Sequence, residues 1–209
     1  MTMAFSFQPV HLDLLKEIGN LGSAHAATAL SKLTNQSIGM TVPSVRVAHF
    51  MDVINEEEGE RFVVAAHFVT YGDFQAHLFI TFDLSEAEQL LRQVIDNETL
   101  SIEEVRTSPY YLSALNEVGN IMAGSYVTAL ADFSGMSIQL SPPQIGVDIA
   151  LALIGEGLIE MSLHGDEVIM VDTVLRNRET KRLIKGSFLL FPQLESVQSL
   201  FRKLGVRHD

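Results

Sequence analysis

The chain has 209 residues, with 14 basic against 26 acidic side chains and a formal net charge of −12. That balance opposes non-specific binding to nucleic acid or to an anionic membrane. The absence of cysteine excludes disulfides, thiolate nucleophiles and cysteine-held zinc or iron–sulfur centres. No apolar run approaches the ~18 residues a membrane span needs; the longest candidate, 145–159, is broken by Asp148 and Glu156. A folded, soluble, cytoplasmic chain is expected.

In chain order, Pro9 opens a helix of roughly 25 residues that Asn35 terminates. Strands are expected at 44–50, 61–70 and 75–82, rich in Val, Ile and Phe with period-two segments. Asp83 to Glu86 has capping-box character and opens a helix through Ile95. Ser108 is placed to cap a second long helix that starts at Pro109 and stops at Gly135. Strands follow at 145–150, 158–163, 168–176 and 183–191, and Pro192 opens a last helix to Leu204.

This order repeats because the chain is internally duplicated. Residues 9–45 laid over 109–145 agree at 12 of 37 columns without a gap, among them Glu17, Gly19, Asn20 and Pro43. Random pairing would give about two. A weaker echo places Phe79, Phe82, Glu86, Gln89 and Leu91 on Phe188, Phe191, Glu195, Gln198 and Leu200. The expected architecture is one α/β domain over 1–209, made of two pseudo-symmetric repeats at about 9–100 and 109–209. Its long surface helices pack on a largely antiparallel sheet.

At 100° per residue, Glu17 and Asn20 fall about 40° and −20° from Asp13 around the first helix. Leu12, Leu15, Ile18, Gly22, Ala26, Ala29, Leu30 and Leu33 cluster on the opposite side as the core stripe. The second helix repeats this, with Ser113, Glu117 and Asn120 outward and Leu112, Leu115, Val118, Met122, Tyr126, Ala129, Leu130 and Phe133 inward. Other columns read as surface have drifted, Lys16 against Asn116, Lys32 against Asp132 and Ser23 against Ala123, while Glu and Asn agree twice. Asn is a poor helix-interior residue, and the preceding Gly19 or Gly119 costs ~1 kcal/mol against Ala. Both amides are expected to stand free of their helices, with Ala24, Ala27 and Gly124 keeping the same face low.

A carboxamide exchanges no proton near neutral pH, but its donor and acceptor can hold a water in one orientation. Phosphoryl-transfer enzymes divide labour in this way, one amide placing the attacking water while charged groups arrive from elsewhere. A Glu one turn away can pair with a partner's Lys. The chain has no phosphate-cradling Gly-rich loop and no His-Glu-x-x-His zinc motif, so the phosphoryl group and metal must come from a partner.

Asp13-x-x-x-Glu17-x-x-Asn20 and Ser113-x-x-x-Glu117-x-x-Asn120 resemble the two Asp/Ser-x-x-x-Glu-x-x-Asn motifs of the CheC, CheX and FliY phosphatases of bacterial chemotaxis. The strings at 15–20 and 115–124 are similar to the CheC branch in particular. This resemblance implies a hydrolase that dephosphorylates the aspartyl phosphate of the response regulator CheY. Asn20 and Asn120 would orient water, Glu17 and Glu117 would dock the regulator's Lys, and Asp13 and Ser113 would be accessory. The Mg²⁺ would sit on the regulator, with no cofactor or metal here. CheD, the receptor deamidase, is the second implied partner, and the segment 144–150 with Asp148 is its candidate docking surface. Ser23-Ala24-His25 departs from the Ala-Gly-Asn often found there, and His25 lies on the helix flank.

The rival reading is a non-enzymatic binding module of the kind found in flagellar motor-switch middle domains, which lack the Glu–Asn stripe. A self-contained metal hydrolase using Asp13, Glu17 and nearby His11 or His25 is disfavoured, because the spacing gives no recognisable ligand set and Tyr111, Ser113 and Ser125 stand at matching places in the second repeat. A chain this acidic gains nothing from overall steering toward an acidic regulator, so weak, transient association is expected.

Overall fold

The computed structural model describes residues 6–53, 59–95, 99–161 and 167–206. The elements run α1 (Pro9–Thr34), β1 (Ile38–Thr41), β2 (Val45–His49), α2 (Phe50–Val53), β3 (Phe62–Gly72), β4 (Ala76–Asp83), α3 (Leu84–Ile95) and α4 (Ile102–Thr107). They continue with α5 (Pro109–Ser134), β5 (Ile138–Leu140), β6 (Gln144–Ile149), α6 (Ala150–Met161), β7 (Glu167–Asn177), β8 (Leu183–Pro192) and α7 (Leu194–Lys203). Helices α1 and α5 each begin on proline, whose missing N–H is harmless in a first turn. They end on left-handed residues, Asn35 at φ 50° and Gly135 at φ 66°.

Among the described residues, all strands belong to one antiparallel sheet of order β1-β7-β8-β4-β3-β5, with β2 also on β7 and β6 also on β3. The short strands of each repeat therefore pair with the long strand of the other repeat. Strands β1 and β2 edge β7, β5 and β6 edge β3, and the centre is the β4–β8 pair. The repeats interlock rather than sit side by side.

Helices α1 and α5 cover one face of this sheet. Leu15, Ile18, Leu30, Val118 and Met122 bury against Phe68, Leu78 and Phe188 in the main core. Each such side chain contributes about 1.5–3 kcal/mol by leaving water. A smaller cluster on the other face, Val63, Phe79, Leu189 and Phe191, lies under Ala150 and Ile154 of α6.

Several expectations are corrected. Residues 158–161 are helical in α6, not strand, because a short apolar run fits either period; residues 162 and 163 lie outside the described residues. Strands β1 and β5 and helices α2 and α4 were not foreseen; α4 is set by a capping box in which Ser101 and Glu104 satisfy one another's main chain. Asp83 ends β4 and pairs with Arg61 at 3.4 Å, while Glu86 accepts the Lys185 N–H, so the expected box at α3 does not form. Ser108 sits at the α5 N-cap with no hydroxyl cap bond, and Pro192 closes β8 rather than opening α7. Leu33 and Phe133, placed in the core stripe by periodicity, are 43% and 40% exposed in the last turn of each helix. Ser23 and Ala123 are buried, not surface positions.

The second-half echo is out of step by one residue. Phe79 pairs with Leu189 across the β4–β8 centre and both lie in the outer cluster, whereas Phe188 lies in the main core. The buried positions of α3 and α7 correspond as Ala87 with Val197, Leu90 with Leu200 and Leu91 with Phe201. A slip of one residue moves every strand side chain to the opposite face, so only the later pairing is structural.

Candidate active site

Asp13, Glu17 and Asn20 are all exposed on α1, and Ser113, Glu117 and Asn120 are all exposed on α5. Behind them, Leu15 and Ile18, and Leu115 and Val118, anchor each helix to the core. Gly22 brings the two helices together, since a Cβ built there would lie 2.9 Å from the Tyr126 Cα. Both stripes thus ride on one rigid, closely packed helix layer. Neither Glu forms an ion pair or side-chain hydrogen bond among the described residues, which leaves both carboxylates available to a cation.

The glycine before each Asn has a packing reason. A Cβ at Gly19 would come 3.1 Å from Val42 Cγ2, and one at Gly119 would come 3.1 Å from Ala66 Cβ. Both glycines let the helix descend onto the layer beneath. Their helix penalty is therefore explained by close approach and is not by itself a sign of function.

The amides differ. Asn20 Nδ2 donates to the Lys16 carbonyl at 3.0 Å and, less favourably, to the Val42 carbonyl at 3.4 Å, and its Oδ1 accepts the Val42 N–H at 3.0 Å. Asn20 is thus exposed yet tied to the main chain that follows β1, contrary to the expectation of a free amide. Among the described residues, Asn120 makes no side-chain hydrogen bond. Nothing lies within 4 Å of a Cβ built at Gly124, so the surface one turn beyond Asn120 is open. The role of Val42 was not foreseen; Gly19 marks the close approach of that segment, but Gly119 stands at the matching place, so the glycine does not tell the two amides apart.

His25 is exposed on the α1 flank, while His11 is 1% exposed and packs against Phe201 with ring centroids 4.2 Å apart. The structure thus separates His11 from outward-facing Asp13 and Glu17. Among the described residues no group of three or more His, Asp or Glu side chains is placed to hold a metal ion.

Asp148 is exposed in β6, which among the described residues pairs only with β3 and so borders the sheet. It lines a cavity of about 550 Å³ on the face away from the stripes, with His67, His77, Gln144 and Leu153. There His67 Nε2 and His77 Nδ1 are 2.9 Å apart with stacked rings. Burial first, then the neighbouring His77, hold the His67 imidazole below its ordinary 6.5, against an upward push from Gln144. This pair was not anticipated.

Chemically, each stripe offers a carboxylate and a carboxamide one turn apart on a convex helix surface. Such a ridge presents its polar groups outward. The CheC-like family model matches residues 10–47 and 111–147, the two segments that carry the stripes. The CheY-P phosphatase CheC of Bacillus subtilis is 35% identical over 195 residues, covering 93% of this chain and 93% of that protein. The crystal structure of Thermotoga maritima FliY matches with a TM-score of 0.78 at 20% identity, covering 96% of this chain and 98% of that one. The FliM middle domain from H. pylori matches with a TM-score of 0.65 at 10% identity, covering 94% and 99%. The chain belongs to the CheC-like family. Among the described residues no helix is long and apolar enough to cross a membrane.

Proposed function

We propose that this chain is a CheY-P phosphatase of the CheC type that works by inserting an amide into the regulator's catalytic pocket. The observation that carries the mechanism is the duplicated, outward-facing Glu–Asn stripe, Glu17 with Asn20 and Glu117 with Asn120. A relative named CheY-P phosphatase over nearly the whole length supports the activity.

In the reaction, water attacks the phosphorus of the aspartyl phosphate, the bond from phosphorus to the carboxylate oxygen breaks, and phosphate leaves. The amide of Asn20 or Asn120 accepts and donates hydrogen bonds to that water and fixes its line of attack. Glu17 or Glu117 pairs with the regulator's Lys and sets the register of docking; Asp13 and Ser113, one turn before each Glu, border the contact. Mg²⁺ belongs to the regulator and stabilises the transferring phosphoryl charge there, so this chain needs no cofactor of its own.

The experiment is a phosphate-loss assay on phosphorylated CheY with Mg²⁺, with and without this chain. The chain should accelerate the loss, and the Asn20→Ala/Asn120→Ala double variant should remove that acceleration while keeping its circular dichroism. A double variant as fast as the parent would refute the amide mechanism.

CheD is proposed as a second partner, docking on the sheet border at 144–150, where Asp148 is exposed and one side of β6 is unpaired among the described residues. Loss of CheD binding in Asp148→Lys is the check. The fold likeness to a FliM middle domain keeps a second reading in view, a binding module without catalysis. Such a module would leave the rate of phosphate loss unchanged or slow it.

A further inference from the structure

We propose that the main-chain N–H of Val42 latches Asn20, so that the Ser113–Glu117–Asn120 stripe carries the resting activity and the Asp13–Glu17–Asn20 stripe is held in reserve. This rests on the water-orienting role given to the amides above, and it assigns Val42 as a positioning residue for one of them.

A carboxamide has two N–H donors and two acceptor lone pairs. In Asn20 both donors point at carbonyls, Lys16 at 3.0 Å and Val42 at 3.4 Å, and one lone pair takes the Val42 N–H at 3.0 Å. One lone pair remains, which is too little to hold a water from both sides. To enter a regulator's pocket the side chain must swing away from Val42. Val42 is only 3% exposed, so its N–H would lose its partner in a place water barely reaches. The tie therefore resists the motion the reaction needs.

The second repeat cannot build this tie. Pro142 stands at the position of Val42, and proline has no N–H to donate. The segment also lies differently: Pro142 is exposed, and Gly119 rests on Ala66 and Phe68 of β3, where Gly19 rests on Val42 itself. Asn120 is left with all its hydrogen-bonding capacity, beside the open surface at Gly124. The duplicated motif thus gives two Glu–Asn pairs of different readiness: the Val42 N–H, together with the Lys16 and Val42 carbonyls, holds Asn20, and Pro142 has no N–H to offer Asn120.

The test compares the two single variants and then removes the N–H alone. In the phosphate-loss assay with phosphorylated CheY, Asn120→Ala should lower the stimulated rate at least about tenfold more than Asn20→Ala does. In the Asn120→Ala protein, an ester replacing the Thr41–Val42 peptide bond, made by incorporating the hydroxy acid analogue of valine at 42, keeps the side chain and deletes the donor. That substitution should raise the remaining activity several-fold. It should also move the Asn20 side-chain amide signal in a ¹H–¹⁵N spectrum toward that of Asn120. Val42→Pro is the genetic counterpart, used where circular dichroism shows it folded. An Asn20→Ala protein more impaired than Asn120→Ala, or an ester that leaves activity unchanged or lowers it, would overturn the latch. An Asn20→Ala/Asn120→Ala protein with full activity would instead overturn the amide mechanism itself, so the two failures are told apart.

Discussion

Gly22 of α1 meets the main chain of Tyr126 on α5 so closely that a methyl group at position 22 would stand 2.9 Å from the Tyr126 Cα and 3.0 Å from the Ser125 carbonyl oxygen. Backbone cannot yield as a side chain does, so Gly22→Ala must push the helices apart. Overpacking of this kind costs ~1–3 kcal/mol, partly offset by the ~1 kcal/mol of helix propensity gained on replacing Gly. A net loss of up to about 2 kcal/mol is expected in urea unfolding. Gly124→Ala, where a Cβ meets nothing within 4 Å, should be neutral or stabilising by up to ~1 kcal/mol.

The unequal bonding of the two amides also predicts unequal stability. Asn20→Ala leaves the Val42 N–H without its acceptor in a buried stretch, and an orphaned donor costs ~1–3 kcal/mol. Asn120→Ala removes no such partner and should stay within about 0.5 kcal/mol of the parent. Equal unfolding midpoints for the two variants would show that the Val42 contact contributes nothing in solution.

Much of the architecture is legible in the sequence because the long helices are strongly periodic and end on Asn35 and Gly135, which accept left-handed backbone. The outward placement of Glu17, Asn20, Glu117 and Asn120 follows from that periodicity alone. What escapes is what depends on neighbours far along the chain. The contact of Asn20 with Val42 spans 22 residues, and nothing local marks which amide is tied. The strands of three or four residues, β5 and β1, form only because β3 and β7 offer them a border. The apolar run after Ala150 satisfies strand and helix patterns alike until the sheet face under Ile154 decides it. The echo between the later halves misleads by one residue, a shift invisible in composition but decisive for facing.

Glu117 is exposed and unpaired among the described residues, so its loss should tell on docking rather than on folding. Glu117→Gln keeps the shape and removes the charge. An exposed charge pair is worth ~0.2–1 kcal/mol and a charge-assisted hydrogen bond somewhat more, which sets an expected rise in KM for phosphorylated CheY of roughly three- to tenfold with unchanged melting. The parent should show a KM that rises with salt more steeply than that of the variant.

The His67–His77 pair makes stability depend on pH. Burial, then the proximity of His77, hold His67 below its ordinary 6.5 in the folded chain, with Gln144 pushing the other way; Asp148 lines the same cavity. Because the folded value is the depressed one, the unfolded chain takes up the proton first as pH falls. Stability from this site is therefore complete above about pH 6.5 and is lost as pH drops through the window below it. Urea midpoints measured at pH 7.5 and pH 5.5 should fall less in His67→Gln than in the parent. An identical fall would remove His67 as a source of the effect.

The interlocked sheet makes the two repeats mutually dependent. A first-half fragment, residues 1–100, keeps β3 but loses β5 and β6, which pair with it, and its own β1 and β2 lose β7. The second-half fragment, 101–209, suffers the converse, and the central β4–β8 pairing disappears from both. Each fragment also loses the helix that its own long helix packs against, exposing the surface around Gly22 and Tyr126. Border strands carry unpaired N–H and C=O groups that water or another chain must satisfy, and half of the main core would face solvent. Each fragment alone should therefore show little cooperative unfolding and tend to aggregate, while an equimolar mixture should recover the circular dichroism and melting of the intact chain. Independent two-state folding of either fragment would mean that the crossed strand pairing is dispensable, and that the two stripes can be supported separately.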